Sequence, residues 1–455
     1  MPENNNIPKH WQIKKLGEVC DKISLNGIKI KQKDYLSAGK FPVIDQGQDL
    51  IGGYYNDERL VVPTDPPYII FGDHTKVKKF INFKFIAGAD GVKVLKPYPI
   101  YDPKFFFYLI HTVKIPDKGY ARHFQFLEKE EIPLPPLPEQ LAIVSKIEEL
   151  LSDLENGKQQ LQTAQQQLKV YRRALLMEGV TGKLTAKWRA ENPNIDTSEK
   201  VFRKIQNQLD KSFKAASEEA FSRRKRKPKD QRNNKKTINV EAYLPELPVT
   251  WNYYRLEDIT YLVTDGTHFT PKYQKSGVRF LSVKNVRPFY FREEHIKYIS
   301  EEEHKILKER CNPQKDDILY TKVGATFGYA AKVNMDYDFS IFVSLCLIKP
   351  VHEYFSSSFL ELLMNSELVF QQARTRVSGS GVPDLHLIEI RDFKVPLPSF
   401  EEQQRIVEVL ESKLTVCDKI EETISQSLQQ TETLRQSILK RAFEGKLINN
   451  SEGIK

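Results

Sequence analysis

At 455 residues, with 40% hydrophobic and 28% charged content, the chain has the make-up of a soluble protein of roughly three domain-sized pieces. Its N-terminus has no apolar core of a secretory signal, and its longest apolar runs, FFFYLI and IFVSLCLI, are too short to span a bilayer. Four scattered cysteines without a C-x-x-C argue against a zinc ribbon or a disulfide framework, so a cytoplasmic protein without membrane contact is expected.

The net charge of +9 invites a nucleic-acid partner, but nine basic residues and one acid lie between Arg223 and Lys236. Outside that run the balance is close to neutral. Any folded surface that touches nucleic acid must therefore do so through local patches.

In chain order, a first globular region (1–135) carries strand-like runs FPVI, PYIIFGD, FKFIAG and GVKVL, then a short helical candidate from Pro103 to His111. It contains Asp65-Pro66-Pro67-Tyr68, the form of tetrapeptide that DNA amino-methyltransferases use to hold a target amine. At a proline frequency of about 5%, such a tetrapeptide arises by chance in roughly one chain of this length in fifty. The partner element of a methyltransferase would be an apolar strand running into a glycine-rich turn. The nearest match, Gly379-Ser-Gly381, follows the polar, helix-like stretch Gln371–Val377 instead. The tetrapeptide is therefore expected to be a loop leading into the next strand.

A long helix follows (136–200), with apolar positions Ile143, Ile147, Leu151, Leu154, Leu161, Leu168, Tyr171 and Leu175 stepping mostly in threes, fours and sevens. Pro138 suits its first turn, and Gly179 and Gly182 suit its end. The stretch 201–240, which holds the basic run, is expected to be a flexible connector. A second globular region (241–395) offers VRFLSV, DDILYTK and IFVSLCLI as strands and Ser357 to Arg374 as helix.

The last segment (396–455) repeats the first long helix. PLPPLPEQLAIVSKIEELL from Pro133 returns as PLPSFEEQQRIVEVLESKL from Pro396, at an offset of 263 that holds without a gap through Gly182-Lys-Leu and Gly445-Lys-Leu. Ser399-Phe-Glu-Glu402 fits a capping box. Its seam is Ile406, Leu410, Leu414, Cys417, Ile424, Leu428, Leu434 and Ile438. The two globular regions also begin alike, Ile7-Pro8-x-x-Trp11 against Leu247-Pro248-x-x-Trp251, with both tryptophans expected as core anchors.

This duplication predicts an α+β chain: two similar mixed α/β heads separated by two long helices. The helices would pair as an antiparallel coiled coil with a pseudo-twofold arrangement. Glu139 to Leu176 alone would span about 57 Å as helix, and B-DNA advances about 34 Å per turn. Two similar but non-identical heads on such a rod suit an asymmetric target in two parts with an unread spacer.

The repeated lead-ins Ile132-Pro-Leu-Pro-Pro-Leu-Pro-Glu-Gln140 and Val395-Pro-Leu-Pro-Ser-Phe-Glu-Glu-Gln403, with the Gly-Lys-Leu ends, resemble the specificity subunit of type I restriction-modification systems. Thr264–Tyr273, Gly277–Asn285 and Asp316–Gly324 look like signatures of that family, as do Phe71–Thr75 and Gly88–Val92. The resemblance implies two target recognition domains on double-stranded DNA, with the helices as spacer and docking surface for two methyltransferase subunits, and restriction subunits beside them. It implies a non-catalytic chain without a cofactor of its own; S-adenosylmethionine, and ATP with Mg, belong to the partners. A coiled-coil scaffold, a silent specificity cassette and a self-sufficient methyltransferase are the competing readings.

Major-groove readout favours Arg or Lys on guanine and Asn or Gln on adenine, on loops that can reach out. In the first head this selects Gln46 and Gln48 around Gly47, His74 and Lys76, and Arg122 and His123 after Gly119. In the second it selects Thr267, His268, Lys272, Lys284, Asn285, Lys322 and Ser380. Each also fits an ordinary loop residue or a local turn hydrogen bond. Asp73-His74 reads as a turn and not as a metal pair, because no further ligands stand at metal spacing.

Overall fold

Short apolar runs cut by Gly, Pro and Asp turns fold the first head. Its strands are β1 (Gln12–Lys15), β2 (Cys20–Ile23), β3 (Lys29–Ile30), β4 (Phe41–Ile44) and β5 (Gly53–Tyr55). They continue as β6 (Tyr68–Gly72), β7 (Lys78–Ile81), β8 (Ile86–Gly88), β9 (Val92–Pro97) and β10 (Glu131–Leu134), with helices α1 (Pro103–Thr112) and α2 (Phe124–Leu127). The computed structural model describes residues 7–88, 91–116, 119, 121–222, 230, 232, 244–377 and 383–448. One sheet has the order β2-β9-β6-β7 and another β3-β8-β4-β5.

Strand β6 is buried along its whole length because it runs between two cores. Ile69 and Phe71 face the core of Trp11, Leu16 and Phe105, while Tyr68 and Ile70 face that of Ile44 and Phe85. Asp65-Pro66-Pro67 is the loop that leads into it, and Tyr68 is its first residue. Lys96 Nζ donates to the carbonyls of Asp65 and Pro67, and the Tyr68 hydroxyl donates to Thr64 O.

The second head builds β11 (Tyr253–Arg255), β12 (Thr260–Asp265), β13 (Val278–Leu281), β14 (Val286–Arg287), β15 (Tyr290–Phe291) and β16 (Lys297–Ile299). After them come β17 (Ile318–Thr321), β18 (Ala330–Lys332), β19 (Phe339–Ile341), β20 (Leu345–Pro350) and β21 (Lys394–Pro396). Its main sheet, β12-β20-β17-β18, repeats the connectivity of β2-β9-β6-β7. The register of the central pair repeats as well, Ile69 with Leu95 as Ile318 with Ile348, and the edge pairs begin alike, Cys20 with Pro97 and Thr260 with Pro350, before a bulge after Thr260 shifts β12 by one. In the second sheets, parallel β4–β8 corresponds to parallel β13–β19.

The long helices are α3 (Leu137–Val180) and, at the end of the chain, the 44-residue Phe400–Phe443, each about 66 Å long at 1.5 Å per residue. Contacts divide the chain into one unit of Met1–Ala164 with Thr423–Lys455 and another of Gln165–Glu422. Inside the first, the start of α3 packs antiparallel on the end of the second long helix, with Ile143 and Ile147 in one core with Ala442 and Phe443. Inside the second, Leu168, Leu175 and Val180 share a core with Ile406, Leu410 and Cys417. Two expected seam positions lie outside it: Tyr171 and Leu434 are about half exposed. Arg172 turns inward beside Tyr171 and pairs with Asp418 at 2.6 Å and Glu421 at 3.1 Å.

The repeated motifs have physical partners. Gln140 and Gln403 are both fully buried. Gln140 donates to Ile100 O and Pro135 O and accepts from Asp102 N; Gln403 does the same with Tyr354 O, Pro398 O and Ser356 N. Each glutamine thus ties its own proline turn to the cap of a head helix. Gly182 and Gly445 end the long helices with φ of 75° and 68°. A Cβ on Gly182 would lie 2.8 Å from Pro248 Cγ, and one on Gly445 would lie 2.2 Å from Pro8 Cγ. Each Gly-Lys-Leu end therefore closes on the Pro-x-x-Trp lead-in of the other copy. Gly445→Ala should cost about 1–3 kcal/mol in thermal unfolding through strain and overlap. Gly157→Ala, mid-helix with nothing within 4 Å of the added carbon, should stabilise by up to about 1 kcal/mol.

The first long helix stops at Val180, where Gly182 turns the chain, and is followed by α4 (Ala186–Glu191) and α5 (Ser198–Ser222). This corrects the connector assigned to 201–240, since 201–222 is helical. Val201, Ile205 and Leu209 lie four apart and enter the core of the second unit, and Phe202 stacks on Tyr254 at 4.2 Å. Of the basic run, Asp230 and Arg232 are described, and Arg232 pairs with Asp230 and Asp210. The rest of it lies outside the described residues. The remaining helices are α6 (Glu301–Arg310), α7 (Ser357–Met364), α8 (Glu367–Arg376), α9 (Leu387–Arg391) and α10, the second long helix.

Candidate nucleic-acid interface

In the first head, three loops chosen from separate parts of the sequence meet at one end of the sheets. They follow β4 (Asp45–Gln48), follow β6 (Asp73–Lys76) and precede α2 (Arg122–His123). Asp73, 3% exposed, is the hub. Its amide donates to Gly91 O, its carbonyl accepts from His123 N and Nδ1, and its carboxylate accepts from Phe124 N at 2.8 Å. Lys93 Nζ lies 3.4 Å from the other carboxylate oxygen. Next to it, His74 N donates to Gln46 Oε1, His74 Nδ1 meets Ala121 O at 3.2 Å, and Thr75 Oγ1 donates to Gln46 O. Gln48 and Arg122 are exposed, Gln46, His74 and Lys76 are half-buried, and His123 is buried. Lys76 holds a positive φ of 58°.

The second head brings equivalent loops together with different chemistry. Continuing the shared register past Gly72 and Thr321 places Lys322 where the first head has Asp73. The backbone bonds agree: Lys322 N donates to Ser344 O and Leu385 N donates to Lys322 O, as Asp73 N does to Gly91 O and His123 N to Asp73 O. The loop after β13, Ser282–Asn285, joins them through Val283 N on Ser344 Oγ.

The hub thus changes sign between heads. Lys322 is 5% exposed, with Asp384 at 3.5 Å and Asp265 at 3.9 Å. Asp265, 3% exposed, also takes Arg310 at 2.6 Å and His268 Nε2 at 3.3 Å. Asn285 is buried, its Oδ1 accepting from Ser282 N and its Nδ2 donating to Arg292 O, so its amide holds the loop. Thr267 is buried and trades hydrogen bonds with Phe269. His268, Lys272 and Lys284 are exposed. Ser380 lies outside the described residues.

Asp73, Asp265 and Arg310 were not among the sequence candidates. A carboxylate before a histidine has no period to reveal it, and Arg310 sits in the last turn of a polar helix. Among the described residues no group of three or more His, Cys, Asp or Glu is placed to hold a metal ion, and no helix is long and apolar enough to cross a membrane.

The model of the type I restriction modification DNA specificity domain family matches residues 8–163 and 248–430. The chain is 27% identical to the type I restriction enzyme EcoBI specificity subunit of Escherichia coli, over 70% of this chain and 59% of that one. It is 23% identical to the EcoDI specificity subunit of Escherichia coli, over 97% and 89%. The chain thus spans less than two thirds of the length of the first of these relatives. Among solved structures it is similar to the HsdS subunit from Thermoanaerobacter tengcongensis, with a TM-score of 0.56 and 16% identity over 97% of this chain and 98% of that one. A chain from a structure on complex assembly and conformational transition of the type I R-M system gives 0.63 and 16%, over 97% and 99%. Both show the same fold.

Proposed function

The chain belongs to the type I restriction modification DNA specificity family, and we propose on that premise that it reads an asymmetric, bipartite DNA sequence, one half per head. The observation that carries this is the duplicated three-loop cluster: one scaffold, one register, and a hub of opposite charge in each copy. Shared backbone bonds hold the loops in place, while the side chains they present differ, which is what two unlike half-sites require. Gln48, Lys76 and Arg122 in the first head, and His268, Lys272 and Lys284 in the second, are the residues that reach outward. Asn285, Lys322, Thr267 and His123 hold the loops that carry them.

In this reading the chain supplies address and not chemistry. Two methyltransferase subunits dock on it and use S-adenosylmethionine to methylate adenine N6, and restriction subunits drive cleavage with ATP and Mg. Selection of random-sequence duplexes on the full chain, alone and with its methyltransferase partner, tests the reading. Two short conserved blocks flanking a spacer of fixed length are expected. Enrichment of one continuous block, or none, would refute it. Gln48→Ala should relax one position of the first block by about 1–3 kcal/mol and leave the second block unchanged.

A further inference from the structure

Beside the readout loops of the first head, β7 and α1 leave a cavity of about 610 Å³, lined by Gln48, Thr75, Lys76, Lys78, Phe107 and His111 among others. No carboxylate lines it. Among the described residues the Lys78 ammonium has no ion-pair or hydrogen-bond partner.

The second head shows what the same scaffold does when the place is closed. Phe71 and Tyr320 are equivalent in register, and across the next strand they face Lys78 and Ala330. Helices α1 and α7 begin on matching caps, Asp102 on Phe105 N and Ser356 on Phe359 N, so Phe107 falls on Glu361 and His111 on Asn365. Asn365 Oδ1 accepts from Ala330 N at 3.0 Å and its Nδ2 donates to Ala330 O at 2.9 Å. Glu361 accepts from Lys332 N at 2.7 Å. Protein groups satisfy one another there. In the first head the same positions hold Lys78, His111 and an aromatic ring, and they open on solvent.

The electrostatics of the cavity suit an anionic ligand. Desolvation lowers Lys78 to about 8. Lys78 is charged at neutral pH and no carboxylate lines the cavity to meet it, while the neutral His111 ring can donate an N–H beside it.

We propose that this cavity seats a backbone phosphodiester of the DNA strand running past the first head's readout loops, with Lys78 and His111 as its contacts and Lys76 at its mouth. The inference rests on the DNA-specificity reading. It makes the two heads unequal: the first carries a phosphate contact that the second has closed off.

The test is the salt dependence of binding of the full chain to a random-sequence duplex between about 50 and 200 mM KCl. Loss of one phosphate contact lowers the slope of log K against log salt by about 0.9. Lys78→Gln should show that drop with a several-fold weaker affinity on every sequence, His111→Gln a smaller loss, and Lys78→Arg the wild-type slope. Lys332→Gln, in the corresponding strand of the second head, should leave the slope alone. Thermal melts of each variant check that it folds. Wild-type binding with an unchanged slope in both Lys78→Gln and His111→Gln would overturn the inference and leave the specificity reading standing. No duplex binding by wild type would sink both. If millimolar inorganic phosphate raises the melting temperature of wild type but not of Lys78→Gln while the DNA slope is unchanged, the cavity takes a free anion and the proposal fails.

Discussion

Replacing Glu402 by Ala is expected to destabilise the second unit by about 3–5 kcal/mol, while Glu139→Ala, the same position in the first repeat, should cost less than about 1 kcal/mol. Glu402 is fully buried. Its carboxylate accepts from Trp251 Nε1 at 2.9 Å, Thr185 Oγ1 at 2.7 Å and Arg189 Nε at 2.9 Å. Removing it leaves the buried Trp251 indole N–H without an acceptor and takes the charge partner from a largely buried Arg189, which keeps Gly182 O, and the lost charge partner is the costly part. Glu139 instead reaches His10 at 2.9 Å, a pair with side chains 50% and 21% exposed, where solvent screens the attraction. Trp11 Nε1, the counterpart of the Trp251 donor, is buried without a partner among the described residues. For a unit of this size the Glu402 change should lower the unfolding midpoint by roughly 6–20 °C. Equal effects at the two positions would show that the buried network is not what separates them.

Asp73→Ala should weaken binding to the first half-site by about tenfold or more and leave the second half-site unaffected. The substitution deprives Phe124 N–H and Lys93 of their acceptor, a loss of about 1–3 kcal/mol. It also unties the loop before α2 from the loop after β6. At about 1.4 kcal/mol per tenfold, recognition through that head should fall by one to two orders of magnitude. Asp73→Asn keeps an acceptor for Phe124 N and should fall between. Duplexes in which one half-site is scrambled separate the heads. Asp265→Ala should give the mirror result, because Asp265 binds Arg310, His268 and Lys322 in the second head. Equal loss on both half-sites from either variant would mean that the hubs support the whole chain and not one head.

The architecture is legible in the sequence because duplication writes it twice. The gapless repeat from Pro133 and Pro396 marks both helices, and the structure gives two mixed α/β heads with antiparallel helix contacts in each unit. The repeated glutamine and glycine are visible as letters, but their causes are not. Gln140 and Gln403 act on backbone groups of a distant turn, and Gly182 and Gly445 each answer a proline of the other copy.

Periodicity misplaces Tyr171 and Leu434, since one step around a helix separates seam from solvent. It also overlooked α5, where the nearby basic run outweighed the four-residue spacing of Val201, Ile205 and Leu209. Candidate loops could be chosen by glycine and polar content, yet their convergence depends on strand order, which no local pattern records. Burial sorts them further. Asn285 and Lys322 look as suited to DNA as Lys284 does until their partners are seen.

Single-molecule mapping of methylated adenines in host DNA, with this gene intact and with it deleted, asks whether the chain chooses a DNA sequence. If the chain sets the target, one asymmetric, split adenine motif disappears on deletion and returns when the gene is restored, revealing both half-sites and the spacer. An unchanged set of adenine motifs, in cells where the chain is expressed together with an adenine methyltransferase of its system, would speak against the proposed function.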